Sequence, residues 1–263
     1  MPNSPGNPIS IMDFKSLEQF ELGQVLLIDK PLGWTSFDVV NKVRYQLKRA
    51  LGIKKIKVGH AGTLDPLATG VLVLCTGKAT KQIDQFQSDD KHYTAQIRLG
   101  ATTPCLDAEL PVDQWTPAHH LTDESIHEAA KTWTGKIEQI PPLFSAKKID
   151  GQKAYAVARQ GGELKMRPAH VHIHELNINS IIRHEIDGHP IVDVEALVEC
   201  SKGTYIRSLA RDLGETLGVG GHLIGLERVA SGPFQIGQCM SLEQLIQVIE
   251  DLGRDQSSKP VDL

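Results

Sequence analysis

The chain has 263 residues, 40% of them hydrophobic, enough for one large domain or two modest ones with a real core. No apolar run reaches the roughly 18 residues that span a bilayer, and Met1 to Gln24 lacks the basic-then-apolar order of a secretory signal. The net charge of −4 argues against a uniformly basic nucleic-acid binder, yet it hides a local run: Lys42 to Lys57 holds seven basic residues and no acid.

Residues 1–23 read as a flexible lead-in. Val25 to Ile28 predicts a short buried strand that ends at the turn Asp29-Lys30-Pro31-Leu32-Gly33. Thr35 with Asp38 three residues on predicts a capped helix. Phe37, Val40, Val43, Leu47 and Leu51 would form its apolar stripe, and Gly52 would end it. Next comes Gly59-His60-Ala61-Gly62-Thr63-Leu64-Asp65-Pro66-Leu67-Ala68-Thr69-Gly70, running into the apolar strand Val71 to Cys75. Three glycines and a proline describe a loop with unusual backbone angles, and an acid held there stays reachable. As a bare dipeptide, Asp65-Pro66 reads first as a turn initiator.

Ala79 to Phe86 predicts a short helix. His92 to Leu99 alternates as a half-buried strand does, with Tyr93, Ala95, Ile97 and Leu99 on one face. A loop-rich stretch from Gly100 to Pro117 precedes a helix capped by Thr122, and Ile140 to Phe144 reads as rigid and extended. A short helix is expected over 152–160, and strands at about 168–178 and 190–200 flank a polar connection. Thr204 reads as the cap of a helix with Ile206, Leu209, Ala210 and Leu213 on its apolar side. A strand near 224–230 and a helix from Ser241 to about Leu252 follow, then a disordered tail over 253–263. Strands and helices mix without regular alternation, which predicts an α+β fold with a mixed, largely antiparallel central sheet flanked by helices.

Four scattered cysteines without a Cys-x-x-Cys pair predict buried thiols in a cytoplasmic protein, with no disulfide and no zinc site. Gly70 to Gly77-Lys78 is spaced wrongly for a phosphate loop and lacks its Ser or Thr. His170, His172 and His174 share a strand face, but nothing obvious completes a metal site, so an exposed face is expected. Arg207 in the first turn of a helix works against the helix dipole and calls for an anionic partner.

Taken together, these stretches resemble the TruB family of tRNA pseudouridine synthases. Gly59 to Gly70 is similar to its signature loop, and Asp29-Lys30-Pro31-x-Gly33-x-Thr35-Ser36 to its N-terminal motif. Lys91-x-Tyr93 with Leu99-Gly100-x-x-Thr103, Gln139-x-Pro141-Pro142-x-Phe144-Ser145, Cys200 to Gly214 and His222-Leu223-x-x-Leu226 continue the likeness over about residues 24–250. The resemblance implies the pseudouridine synthase fold over 24–252, with an inserted RNA-clamp segment within about 91–165.

It also implies isomerisation of uridine-55 in the T-arm of tRNA, with neither metal nor cofactor. Asp65 falls on the essential aspartate, Arg207 on its arginine partner and Tyr93 on the tyrosine that stacks on the target base. Tyr205 and Leu226 fall on positions lining the uracil pocket, and His60 on the residue that fills the space of the everted base. The run 42–57 with Lys147, Lys148 and Lys153 supplies candidate phosphate contacts.

Two departures stand out. Only about ten polar residues follow the last helix, so the small C-terminal RNA-binding domain of many bacterial members is expected to be absent. The family's Leu-Arg-Arg stands here as Leu226-Glu227-Arg228. A monomer acting on tRNA with no guide RNA and no membrane is expected. The competing readings are a tRNA-binding folding helper that needs no chemistry and an RNA-guided synthase.

Overall fold

The structure is a computed structural model; it describes residues 14–145, 148–149, 152–153 and 166–257. The chain divides into two compact units, one built from residues before 88 and after 232, the other from residues 88–232. No described helix is long and apolar enough to cross a membrane.

The first unit runs α1 (Glu18–Leu22), β1 (Val25–Lys30), α2 (Ser36–Leu51), β2 (Val58–Ala61), β3 (Ala68–Thr76), a 3-10 turn (Gly77–Gln82) and α3 (Ile83–Ser88). The second holds β4 (Lys91–Leu99), β5 (Ala101–Thr102), β6 (Gln114–Trp115), α4 (Asp123–Thr132), β7 (Gly135–Gln139), β8 (Lys148–Ile149) and β9 (Gln152–Lys153). It continues with β10 (Ala169–Ile186), β11 (His189–Cys200), α5 (Ile206–Thr216) and β12 (Gly221–Ser231). The chain then returns to the first unit as β13 (Phe234–Gln235), a second 3-10 turn, β14 (Met240–Ser241) and α6 (Leu242–Ser257). Within each unit the described strand pairs run antiparallel apart from β1 with β14, and helices flank the sheets, so the α+β class with a mixed, largely antiparallel sheet holds.

In the first unit β3 lies between β1 and β2. Its main core joins Leu26, Ile28, Leu72 and Leu74 to Val40, Val43 and Leu47 of α2 and Leu242, Leu245 and Ile249 of α6. Leu47 is fully buried, and trimming such a side chain to alanine costs about 2–5 kcal/mol. Helix α2 starts as the sequence dictates: the Thr35 hydroxyl accepts from the Asp38 amide at 3.0 Å, and the Asp38 carboxylate accepts from the Thr35 amide at 3.0 Å. Gly52 ends it with φ 65°.

In the second unit the strand order is β12, β4, β11, β10, β7. The predicted alternation of β4 is observed, with Lys91, Tyr93, Ala95, Ile97 and Leu99 buried. At the tip of the β10–β11 hairpin Asp187 and Gly188 have φ 50° and 78°, as a two-residue turn demands.

Several expectations are corrected. Residues 14–22 are not a flexible lead-in but carry α1, because Leu17 and Phe20 are drawn fully into the core. Phe37 is 61% exposed; Val39 takes its place inside, since the buried face of α2 is set by Ser36, Val40, Val43 and Leu47. The predicted helix at Ala79 to Phe86 is a 3-10 turn running into α3. Gln152–Lys153 is strand, and the rest of the helix expected at 152–160 lies outside the described residues. The connection between the two later strands is itself strand, lengthening β10 to Ile186. Helix α6 runs on to Ser257, with its Leu252 packed, like Ala50 of α2, against the first unit's core, so the tail expected from 253 starts too early.

Candidate active site

Asp65 sits in the connection of the β2–β3 hairpin, and the N-terminal motif turns out to be its holder. Ser36, 1% exposed, accepts a 2.8 Å hydrogen bond from the Leu64 amide and donates a 3.0 Å one to the Leu64 carbonyl. Lys30 is fully buried, and its ammonium donates to the carbonyls of Pro31 at 2.8 Å, Trp34 at 2.6 Å and Pro66 at 3.4 Å. The Gly33 amide donates to the same Pro66 carbonyl at 2.8 Å, and Asp29 accepts from the Gly70 amide at 3.1 Å. The motif residues therefore grip the loop on both sides of Asp65. Buried donors and acceptors that are mutually satisfied fix a backbone, because every alternative leaves one of them unpaired.

Gly62 and Gly70 take φ 90° and 97°, a region where a side chain is strained, so the loop's glycines are needed for its path. Gly59 does not adopt such an angle; a Cβ there would meet Ile83 at 2.7 Å. His60 lies on β2 and, like Asp65, is half-buried.

The remaining predicted residues belong to the second unit. Arg207 is buried in the first turn of α5, and the anionic partner that its position demands is found in Asp107, 3.3 Å away with both side chains 6% exposed. Its guanidinium also donates to the carbonyls of Cys105 at 3.0 Å and Phe144 at 2.8 Å. Asp107 accepts from the Glu109 amide at 3.0 Å, and its carbonyl accepts from Thr103 at 2.7 Å. Leu106 beside it has φ 64°, a strained angle for a non-glycine residue of the kind held at functional loops. Sequence reasoning missed Asp107; its signal was only an acid within a loop-rich stretch.

Thr204 does not cap α5. Its hydroxyl donates to the Ser201 carbonyl at 2.9 Å, and Tyr205 occupies the cap position. Gln139, 1% exposed, holds Tyr205 from both sides: its carbonyl oxygen accepts from the Tyr205 amide at 2.8 Å, and its amide donates to the Tyr205 carbonyl at 3.1 Å. Ser208 and Arg211 donate to the Ile140 carbonyl at 2.8 and 3.1 Å. The extended Ile140 to Phe144 stretch is thus lashed to α5 by its carbonyls.

Tyr93 and Leu226 come together on one sheet face. Tyr93 pairs across with Arg228 and Ala95 with Leu226, which makes Tyr93 and Leu226 diagonal neighbours, about 7–8 Å apart in such a ladder. Arg228 is 1% exposed and shares this face. With Lys91 it makes a pair of buried cations: burial first, and then the Arg228 charge, lower the Lys91 pKa, while Asp89 and Asp90 oppose the shift. Arg228 is the second functional candidate that the sequence reading did not single out.

The histidines at 170, 172 and 174 line an exposed strand face, where His170 stands 3.7 Å from Glu138 and His174 3.2 Å from Asp90. Among the described residues no cluster has the make-up of a metal site. Lys147 lies outside the described residues.

The first unit thus holds a carboxylate in a gripped glycine loop, and the second holds a buried arginine at a helix start and a tyrosine diagonal to Leu226 on one sheet face. The chain belongs to the TruB family of pseudouridylate synthases: residues 48–206 match the model of the family's N-terminal domain. Residues 207–259, from α5 through α6, match that of the tRNA pseudouridylate synthase B C-terminal domain.

Among its relatives, tRNA pseudouridine synthase B of Parabacteroides distasonis is 51% identical over 88% of this chain and 95% of its own. That of Phocaeicola vulgatus is 50% identical over 85% and 92%. Among solved structures, a Cbf5–Nop10–Gar1 complex matches with a TM-score of 0.64 at 29% identity, over 92% of this chain and 59% of that one. An H/ACA RNP bound to a substrate RNA containing 2′-deoxyuridine matches with a TM-score of 0.61 at 26% identity, over 97% and 62%. This chain thus spans less than two thirds of those two chains.

Proposed function

We propose that this protein isomerises uridine-55 in the T-arm of tRNA to pseudouridine, with Asp65 as the essential carboxylate. The N1–C1′ bond breaks, the uracil turns while bound, and C5 joins C1′; C5 gives up its proton and N1 takes one up, so the product is an isomer. Asp65 either adds to C1′ as a glycosidase nucleophile does or takes a proton from the sugar, and both routes use its ionised form. The family resemblance assigns Arg207 as the partner of that carboxylate, and a fixed positive charge in that role favours the ionised form. Tyr93 stacks on the everted base, Tyr205 and Leu226 line its pocket, and His60 fills the space it leaves.

The observation that carries this reading is the grip on the Asp65 loop. Buried Ser36 bonds both backbone groups of Leu64, while the Gly33 amide at 2.8 Å and buried Lys30 at 3.4 Å bond the Pro66 carbonyl, so the residues on either side of that aspartate are held. Preorganisation of this kind is what a reacting carboxylate requires. The relatives named tRNA pseudouridine synthase B support the choice of tRNA. The catalytic body is assigned to residues 24–252, acting as a monomer and without a guide RNA.

The test is pseudouridine formation in a bare T-arm hairpin, wild type against Asp65→Asn. The wild type should convert the hairpin and the variant should bind it without product. Equal product from both would remove Asp65 from the mechanism. Tight binding without product from the wild type would favour a folding helper, and product only with an added guide would favour the guided class.

A further inference from the structure

Helix α2 divides cleanly. At 100° per residue Ser36, Val39, Val40, Val43, Gln46 and Leu47 point into the core, while Phe37, Asn41, Arg44, Tyr45 and Lys48 fall within about 100° of arc on the other side. Phe37 and Tyr45 are each 61% exposed, a large apolar outlay for a solvated face. Beyond the helix this stripe meets a groove of about 580 Å³ lined by Arg44, Lys48, Lys54, Lys55, Ile56 and Lys57. Arg44 is braced within it, donating at 2.8 Å both to Asn41 and to the Val58 carbonyl. Among the described residues no carboxylate pairs with any of the groove's four lysines. The single acid of α2, Asp38, is taken up by the Thr35 cap.

We propose that this stripe and groove form a backbone-binding track for the substrate RNA, apart from the uracil pocket. It rests on the function proposed above. Converging cations without counter-charges repel one another and are relieved by a polyanion. Exposed aromatics among them suit nucleotides, which offer a flat face beside each phosphate. The track also begins at the reacting loop, because Phe37 follows Ser36, whose hydroxyl grips Leu64 beside Asp65. From Phe37 to Lys48 the helix rises about 16 Å, the length of roughly five nucleotide steps. A hairpin with its target nucleotide at Asp65 would lay its neighbouring phosphates along α2.

The experiment compares wild type, Lys54→Gln/Lys55→Gln/Lys57→Gln and Phe37→Ala/Tyr45→Ala. Affinity for a T-arm hairpin is followed between about 50 and 200 mM salt, where each lost phosphate contact flattens log K against log salt by about 0.9. The triple variant should therefore lose about 2–3 from that slope and bind more weakly at the low-salt end, with kcat at saturating hairpin unchanged. The aromatic variant should bind roughly 5- to 100-fold more weakly with an unchanged slope. An unaltered slope in the triple variant overturns the track. Lost affinity for anionic lipid vesicles without a change in the RNA slope overturns it too, by assigning the patch to a membrane surface. Wild-type turnover in the same hairpin reports separately on the proposed function, so the two failures are told apart.

Discussion

Replacing Ser36 with alanine is the sharpest probe of how the reacting loop is held. The hydroxyl makes two buried hydrogen bonds, at 2.8 Å from the Leu64 amide and 3.0 Å to the Leu64 carbonyl. A buried hydrogen bond contributes about 1 kcal/mol net, and a donor left unpaired costs about 1–3 kcal/mol more. Alanine leaves both Leu64 groups without this partner in a site that water does not reach, so the expected loss of stability is about 2–4 kcal/mol. Relaxation of the loop would relieve part of that strain, but it would shift Asp65 from its place. A displacement near 1 Å can reduce a reaction about 100-fold while leaving binding nearly intact. Urea unfolding together with single-turnover pseudouridine formation at saturating hairpin reads both effects. A variant that loses the stability but keeps wild-type turnover would refute the idea that this grip sets the aspartate.

Asp107→Asn keeps the shape of its side chain but takes the charge from beside Arg207. Breaking a buried ion pair costs about 3–5 kcal/mol, so thermal unfolding should move down clearly and turnover should fall with little change in hairpin affinity. Loss of affinity alone would make Arg207 a phosphate contact. His222 is 2% exposed, and its ring Nδ1 donates to the Ala101 carbonyl at 2.9 Å. Burial holds its pKa below the ordinary 6.5, so the unfolded chain takes up a proton first as pH falls. Stability is then complete above pH 6.5 and declines below it, by at most about 1.4 kcal/mol per pH unit, until the folded pKa is passed. His222→Gln should flatten that decline in denaturant titrations, and an unchanged acid slope would exclude His222 as its source.

What the sequence disclosed and what it hid differ in range. Thr35 and Asp38 announce their helix because the capping bonds lie three residues apart, and β4 announces itself because one of its faces is buried. Strand β2 went unseen because Gly59 and Gly62 frame it as loop, although its pairing with β3 fixes it. The outer half of β10 carries Asn, Ser, Arg, His and Glu on exposed faces, so no alternation marks it. At the site, Asp65 stands within a dense local motif, whereas Asp107 and Gln139 meet their partners 100 and 66 residues away. No window of sequence contains such a pair. Its place at a helix start and the resemblance both pointed to Arg207, but only the fold supplies the carboxylate and carbonyls that hold it.

The two charged groups of the proposed chemistry are secured in the same way, each within its own unit. Asp65 is placed by backbone atoms that buried side chains grip, and Arg207 by a carboxylate and two carbonyls that surround it. In both cases the supporting bonds are buried, so salt barely screens them and their loss is felt as misplacement of a charge. The basic track is the opposite case: exposed, without carboxylate partners among the described residues, and strongly screened. The physics therefore separates two kinds of variant without reference to distance from Asp65. Changes to Ser36 or Asp107 should lower turnover at every salt concentration, whereas the deficit from changes to the lysines should be largest at low salt and fade as salt rises. Phe37 and Ser36 are adjacent in sequence yet fall on different sides of that division, because one residue of rotation about α2 carries the chain from the buried grip to the exposed track.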